Sequence, residues 1–253
     1  MYKASVTYET AQGGRNHQED RFAVKLFPSR QPTNCLMAVM DGHSGGEAAE
    51  YCEREFVKTF FACYSQNHNQ SPESKMRQTF NRLHCQMQHF EAGTTLSAAW
   101  VREKHNDVVV GILGDSPVIV VDRNLEVHAS PEHNARSNAK ELAAVKSRGG
   151  RYDGQYVFNR YGDGIQLTRA LGDVSFRDIL SREPEVYAVK NPLWVIVASD
   201  GVFDPEHAGT ATLARELASI LHSSSTAHDI MKWAARHGIR DNATVLLWDR
   251  GIK

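Results

Sequence analysis

The stretch CLMAVMDGHSGGEAAEY (35–51) opens as an apolar run of strand length, passes through Asp41, Gly42 and His43, and leaves through two glycines into a segment with helical spacing. It reads as a buried strand handing over to a helix, with an acid and an imidazole at the joint. Ser44, three residues ahead of Glu47, predicts a capping box at the helix start.

Working outward, further strand-like runs appear at FAVKLF (22–27), TTLSAAWV (94–101), DVVVGIL (107–113), PVIVVD (117–122), LWVIVAS (193–199) and ATVLLW (243–248). Their length and Val/Ile/Leu content are those of strands. Between them lie two pairs of segments with apolar residues three and four apart. One pair covers 44–64 and 71–90, the second beginning at Ser71-Pro72, and the other covers 210–224 and 226–238. Short turns such as GDSP (114–117) and DRN (122–124) predict antiparallel pairing, and so an α+β fold in place of a doubly wound parallel sheet. The fold that buries every apolar face is a four-layer α-β-β-α sandwich, two antiparallel sheets flanked by helix pairs. The polar, glycine-containing segment 131–164, with a short helix near Ala139–Lys146, reads as a flap inserted beside a site, with little core of its own.

With 253 residues, 41% of them hydrophobic, the chain is expected to form a single domain spanning 1–253. A net charge of -1 supplies no field to gather nucleic acid or an anionic membrane, so neither is expected as a partner. No apolar run has the length of a signal peptide or a membrane span, and the four cysteines lack CxxC spacing. These features predict a soluble, cytoplasmic, monomeric protein with free thiols. Among twelve histidines none sits in a metal-ligand pattern, and His43 alone is singled out by its neighbours.

Four acids mark the ends of core strands. Asp41 follows CLMAVM, Asp115 follows VVVGILG, Asp200 follows LWVIVAS, and Asp241 precedes ATVLLW. One Asp-Gly after a strand is an ordinary turn. Four converging carboxylates are different, because each like-charged pair at about 4 Å repels by about 4 kcal/mol at an effective dielectric of about 20. Such a cluster calls for cations or protons, and an all-oxygen donor set suits Mg²⁺ or Mn²⁺. Near the N-terminus, GGRNHQEDR (13–21) adds Arg15, whose planar fork suits a phosphate, and the adjacent Glu19 and Asp20.

The ordered motifs GGRNHQEDR, VMDGHSGGEAA, GTTLSAAWV, GDSP, LTRALGD, PEV, VASDGVFD and RDNATVLLW resemble those of the metal-dependent protein phosphatases, the type 2C serine/threonine phosphatases, over residues 13–249. That resemblance implies a β-sandwich flanked by helix pairs and a metal-dependent hydrolase acting on phosphoserine and phosphothreonine of phosphoproteins. It implies two Mn²⁺ or Mg²⁺ ions, with Asp41 bridging both, the Gly42 carbonyl on one, and Asp200 and Asp241 on the other. Glu19 and Asp20 would hold coordinated waters, Arg15 would bind the phosphate, and His43 would act as general acid. Asp115 and Asp204 match a weaker third metal site. Two departures stand out: Pro117 replaces the usual arginine of GDSR, and the usual Asp-His before the flap is here Glu132-His133. A two-metal phosphodiesterase or nuclease could use the same carboxylates, and a non-catalytic binding module could use the same fold.

Overall fold

The structure, a computed structural model, describes residues 4–27, 34–66, 69–203, 209–222 and 224–251. One sheet runs in the order β1 (Ser5–Ala11), β16 (Ala243–Asp249), β15 (Pro192–Ala198), β8 (Val118–Asp122), β9 (Val127–Ala129). The second runs β14 (Glu185–Lys190), β7 (Asp107–Leu113), β6 (Leu96–Arg102), β3 (Cys35–Met40), β2 (Arg21–Leu26). The strand pairs in both sheets are antiparallel.

The side-chain period of two explains why β3 is buried at every position. Met37 and Val39 point into the space between the sheets, where they meet Val120, Val197, Leu246 and Trp248. Leu36, Ala38 and Met40 point the other way, onto helices α1 (Glu47–Gln66) and α2 (Pro72–Met87), whose Phe56, Phe60, Met76 and Phe80 cover that face. On the far side, α4 (Thr210–Ile220) and α5 (Ala227–His237) place Leu213, Leu217, Ile230 and Trp233 against Ile119, Ile196, Val245 and Leu247. The expected four-layer α-β-β-α sandwich is therefore present, and a strand covered on both faces needs no polar alternation.

Local expectations divide. Ser71 caps α2, accepting from the Ser74 N–H with Pro72 in the first turn. Ser44 does not cap α1: it sits at φ 60, the helix starts at Glu47, and Glu50 N donates to the Gly46 carbonyl. The DRN turn does close the β8–β9 hairpin. GDSP does not close a hairpin, because β7 and β8 lie in different sheets, and Gly114–Pro117 carries the chain across the sandwich. Pro117 causes no disruption there. It precedes β8, where no N–H is required, and its carbonyl accepts from Ala198 N at 3.0 Å. Two strands lacked a legible signal, the half-buried β1 and β14, whose burial does not follow a clean alternation.

Two small sheets complete the fold. β10 (Arg151–Tyr152), β11 (Val157–Phe158) and β12 (Gly164–Ile165) form one, beside α3 (Ala139–Ser147). This inserted region has its own cluster of Ala135, Val145, Val157, Leu167, Phe176 and Leu180, so it is better packed than its composition suggests and extends past Gly164. The other small sheet, β13 (Leu171–Gly172), β5 (Gly93–Thr94), β4 (Gly42–His43), lies at the end of the sandwich where the aspartates gather. Cys35, Cys52 and Cys63 are buried free thiols, whereas Cys85 is exposed and does not join the apolar face. No helix among the described residues is long and apolar enough to cross a membrane.

Candidate metal centre

Strand ends are where the chain leaves the core, and here they converge. Asp41 follows β3, Asp115 lies on the β7–β8 crossing, Asp200 follows β15, and Asp241 stands just before β16. All four line one cleft of about 530 Å³, together with Arg15, Glu19, Gly42 and His43. The opposite wall comes from the inserted region, through Tyr156, Ile165, Leu167 and Phe176. A larger groove of about 650 Å³, bordered by β9 and β14, collects none of these carboxylates.

Hydrogen bonds from neighbouring strands and loops fix the backbone around the cleft. The Asp41 N–H donates to Thr95 Oγ1 at 3.0 Å, and its carbonyl accepts from Thr95 N and from the Thr94 hydroxyl. Asn242 organises the N-terminal loop: its amide donates to the carbonyls of Gln12 and His17, and its Oδ1 accepts from Glu19 N at 2.8 Å. Glu19 Oε1 accepts from Gly45 N at 3.1 Å, tying that loop to the β4–α1 joint. Gly13, at φ 61, fits the turn because a side chain would strike the Asp241 carbonyl. The result brings Arg15 over the acids, with Nη2 donating to Asp241 Oδ2 at 2.5 Å.

The electrostatics are those of crowded like charges. Burial, then the charges of Asp20, Asp200, Asp115 and Asp241, hold Asp41 well above the ordinary carboxylate range. Burial, Asp115 and Asp241 do the same to Asp200. Asp20 is pushed up to about 6, chiefly by burial, although the Ser199 hydroxyl at 2.7 Å favours its charged form. Asp115 also rises to about 6 by burial, against the opposing hydrogen bond from Asn134 Nδ2 at 2.7 Å. Like charges held this close resist ionisation unless a cation neutralises them.

The residues present suit such a cation. Asp20 is 4% exposed, and its Oδ1 is buried with no hydrogen-bond partner among the described residues, a free acceptor beside the acid cluster. The carboxylates of Asp41, Asp115, Asp200 and Asp241 that line the cleft are hard oxygen donors, the kind preferred by Mg²⁺ and Mn²⁺. Of the residues singled out by sequence, Arg15, Glu19, Asp41, Gly42, His43, Asp115, Asp200 and Asp241 share the cleft, Asp20 lies buried within electrostatic reach of Asp41, and Asp204 falls outside the described residues.

Several residues of the site carry no mark in the sequence. Asn242 and Thr95 act through long-range hydrogen bonds. Asp173 ends the LTRALGD motif without an expected role, yet its carboxylate lies 2.8 and 2.9 Å from His43 Nε2. His133, beside the departure at Glu132, is fully buried and accepts from Gly114 N at 3.1 Å through Nδ1.

A family model described as "Protein phosphatase 2C" matches residues 4–243. The chain is similar to "Protein phosphatase fem-2" of Caenorhabditis elegans, 28% identical over 218 residues, covering 79% of this chain and 47% of the relative. It is similar as well to "Protein phosphatase 1L" of Bos taurus, 26% identical over 222 residues, covering 79% of this chain and 60% of the relative. It thus spans about half to three-fifths of the length of these curated relatives. Among solved structures, the serine-threonine phosphatase 2C from Toxoplasma gondii superposes with a TM-score of 0.75 at 20% identity, covering 98% of this chain and 96% of that one.

Proposed function

The chain belongs to the protein phosphatase 2C family, and from that premise we propose that its cleft hydrolyses phosphoserine and phosphothreonine monoesters of phosphoproteins by direct attack of water, without a covalent enzyme intermediate. The observation that carries the reading is the convergence of Asp41, Asp115, Asp200 and Asp241 in one cleft, with Asp41 and Asp200 held well above the carboxylate range by burial and by the charges of neighbouring acids, Asp115 and Asp241 among them. Acids so arranged are suited to divalent cations.

In this reading the Asp41 carboxylate would serve both of two Mn²⁺ or Mg²⁺ ions, the Gly42 carbonyl would serve one, and Asp200 and Asp241 would serve the other. Bound there, such ions supply Lewis acidity, acidifying a water and drawing charge from the phosphoryl oxygens. Glu19 and Asp20 orient waters at the margin of the site, and the unpartnered Asp20 Oδ1 fits that task. Arg15 uses one Nη on Asp241, which leaves further donors of its fork for a phosphoryl oxygen. His43 delivers a proton to the departing seryl or threonyl oxygen, a role worth about 10² to 10⁴-fold in such reactions. Asp115, with Asp204, is assigned to a third, weaker cation site.

The test is phosphate release from a phosphothreonine peptide as Mn²⁺ is titrated into metal-stripped protein, with Asp41→Asn run in parallel. Turnover that requires the metal and disappears in the variant is the expected result. Folded protein that releases no phosphate at any Mn²⁺ concentration would instead mark the chain as a binding module.

A further inference from the structure

The small sheet β13-β5-β4 juxtaposes His43 and Asp173, residues 130 positions apart in the chain. We propose that Asp173 is the positioning residue for His43: it fixes the imidazole with Nε2 turned inward, so that Nδ1 is the nitrogen that serves the cleft. The kinetic part of this proposal rests on the phosphatase reading, and the orientation itself does not.

The contact is built into the fold. Both Asp173 oxygens lie within hydrogen-bond distance of Nε2, at 2.8 and 2.9 Å, and the carboxylate side chain is 3% exposed. A buried carboxylate is costly unless it is paired, so each member of the pair holds the other in place. The sheet leaves room for it at Gly93 of β5, where any Cβ would collide with both Asp173 Oδ2 and His43 Nε2. Asp173 stands just after β13 in the left-handed region, φ 50 and ψ 56, which Asp and Asn tolerate better than other side chains. Its backbone is tied down on both sides, by its N–H to the Ala92 carbonyl at 3.2 Å and by Arg182 Nη2 on its own carbonyl at 3.1 Å. No hydrogen bond to His43 Nδ1 occurs among the described residues, whereas His43 lines the cleft.

The division of labour follows from this geometry. As water adds to phosphorus, the bond from phosphorus to the seryl or threonyl oxygen breaks, and the Nδ1 proton of His43 passes to that oxygen. The ring is left neutral, with its remaining proton on Nε2 facing Asp173. Removing the carboxylate would free the ring to turn, and the proton would no longer be presented to the leaving group.

The test uses Asp173→Asn, which keeps the size and suits the left-handed backbone, with His43→Gln and the double variant. On the Mn²⁺-loaded protein, turnover of a phosphothreonine peptide is expected to fall about 10 to 100-fold in Asp173→Asn, part of the effect of a general acid. Turnover of p-nitrophenyl phosphate, whose leaving group departs without a proton, should stay within about 3-fold, and the double variant should be no slower than His43→Gln. An equal loss on both substrates, or losses that multiply in the double variant, would overturn the proposal. Independently, imidazole nitrogen NMR of the metal-free protein, with His43 identified by its loss in His43→Gln, should show the proton on Nε2 in the wild type and its redistribution in Asp173→Asn. A wild-type ring protonated at Nδ1 alone would overturn the assignment even where turnover behaves as expected. If the wild type turns over neither substrate, the phosphatase reading fails and the spectrum alone decides the pairing.

Discussion

Replacing His133 should remove one component of the protein's sensitivity to acid. The imidazole is completely buried between the crossing at Gly114 and the inserted region, and burial, reinforced by the Arg169 guanidinium, lowers it from 6.5 to about 4. Protonation would also turn Nδ1 from an acceptor of the Gly114 N–H into a donor facing it. The acids nearby cannot offset this fully. Glu141 is engaged by Arg169 at 2.6 and 3.0 Å, and Glu185, shared with the same guanidinium, stays 3.4 Å from Nε2. Between these two values the unfolded chain binds a proton that the folded one refuses, so stability is full above the unfolded value and is lost as pH falls toward 4. At about 1.4 kcal/mol per tenfold change in proton affinity, the complete loss is about 3 kcal/mol, most of which has occurred by about pH 4.5. Urea unfolding of metal-stripped wild type and His133→Gln, at about pH 8 and about pH 4.5, isolates this component, because the cleft acids titrate in both. The variant should carry a constant packing cost but lose about 2 to 3 kcal/mol less than the wild type on acidification. Equal losses in the two proteins would refute a buried neutral His133.

Two further outcomes are expected. Arg15→Ala should lower kcat/KM for a phosphopeptide about 10 to 100-fold, mainly through KM, the worth of a charge-assisted hydrogen bond, and Arg15→Lys should recover only part because it lacks the planar fork; steady-state kinetics at saturating Mn²⁺ would expose an unchanged KM. Gly111→Ala should destabilise the protein by about 1 to 3 kcal/mol despite adding a residue better suited to a strand, because the new Cβ would stand 2.8 Å from Met76 Cγ and 2.9 Å from Phe80 Cε2; a thermal midpoint equal to or above the wild type would show that α2 is not packed so closely on β7.

The legible parts of the site share one property. Asp41, Asp115, Asp200 and Asp241 each adjoin a run of apolar residues, so their position at the mouth of the core follows from where those runs stop. Residues that act sideways carry no such signature. Asn242 reads as one more polar residue in a loop, although it holds Gln12, His17 and Glu19 together. The GDSP segment looked like a hairpin because the strands on either side are close in sequence, and sequence distance says nothing about which sheet a strand joins. Ser44 and Glu47 had the spacing of a capping box, but the backbone at Ser44 is used to turn the chain past the cleft, and the helix starts later.

From its residues alone this chain determined the helices and the more deeply buried strands, the layered sandwich and the acids at its mouth, because periodicity and strand ends are local and burial acts on each segment separately. Tertiary structure decided which sheet each strand entered, that Asp20 would be left with an unpartnered oxygen, and that Asp173 would close on His43 over Gly93. Those outcomes depend on contacts between segments far apart in the chain, where the free energy of desolvating a charge is set by whatever partner the fold brings to it.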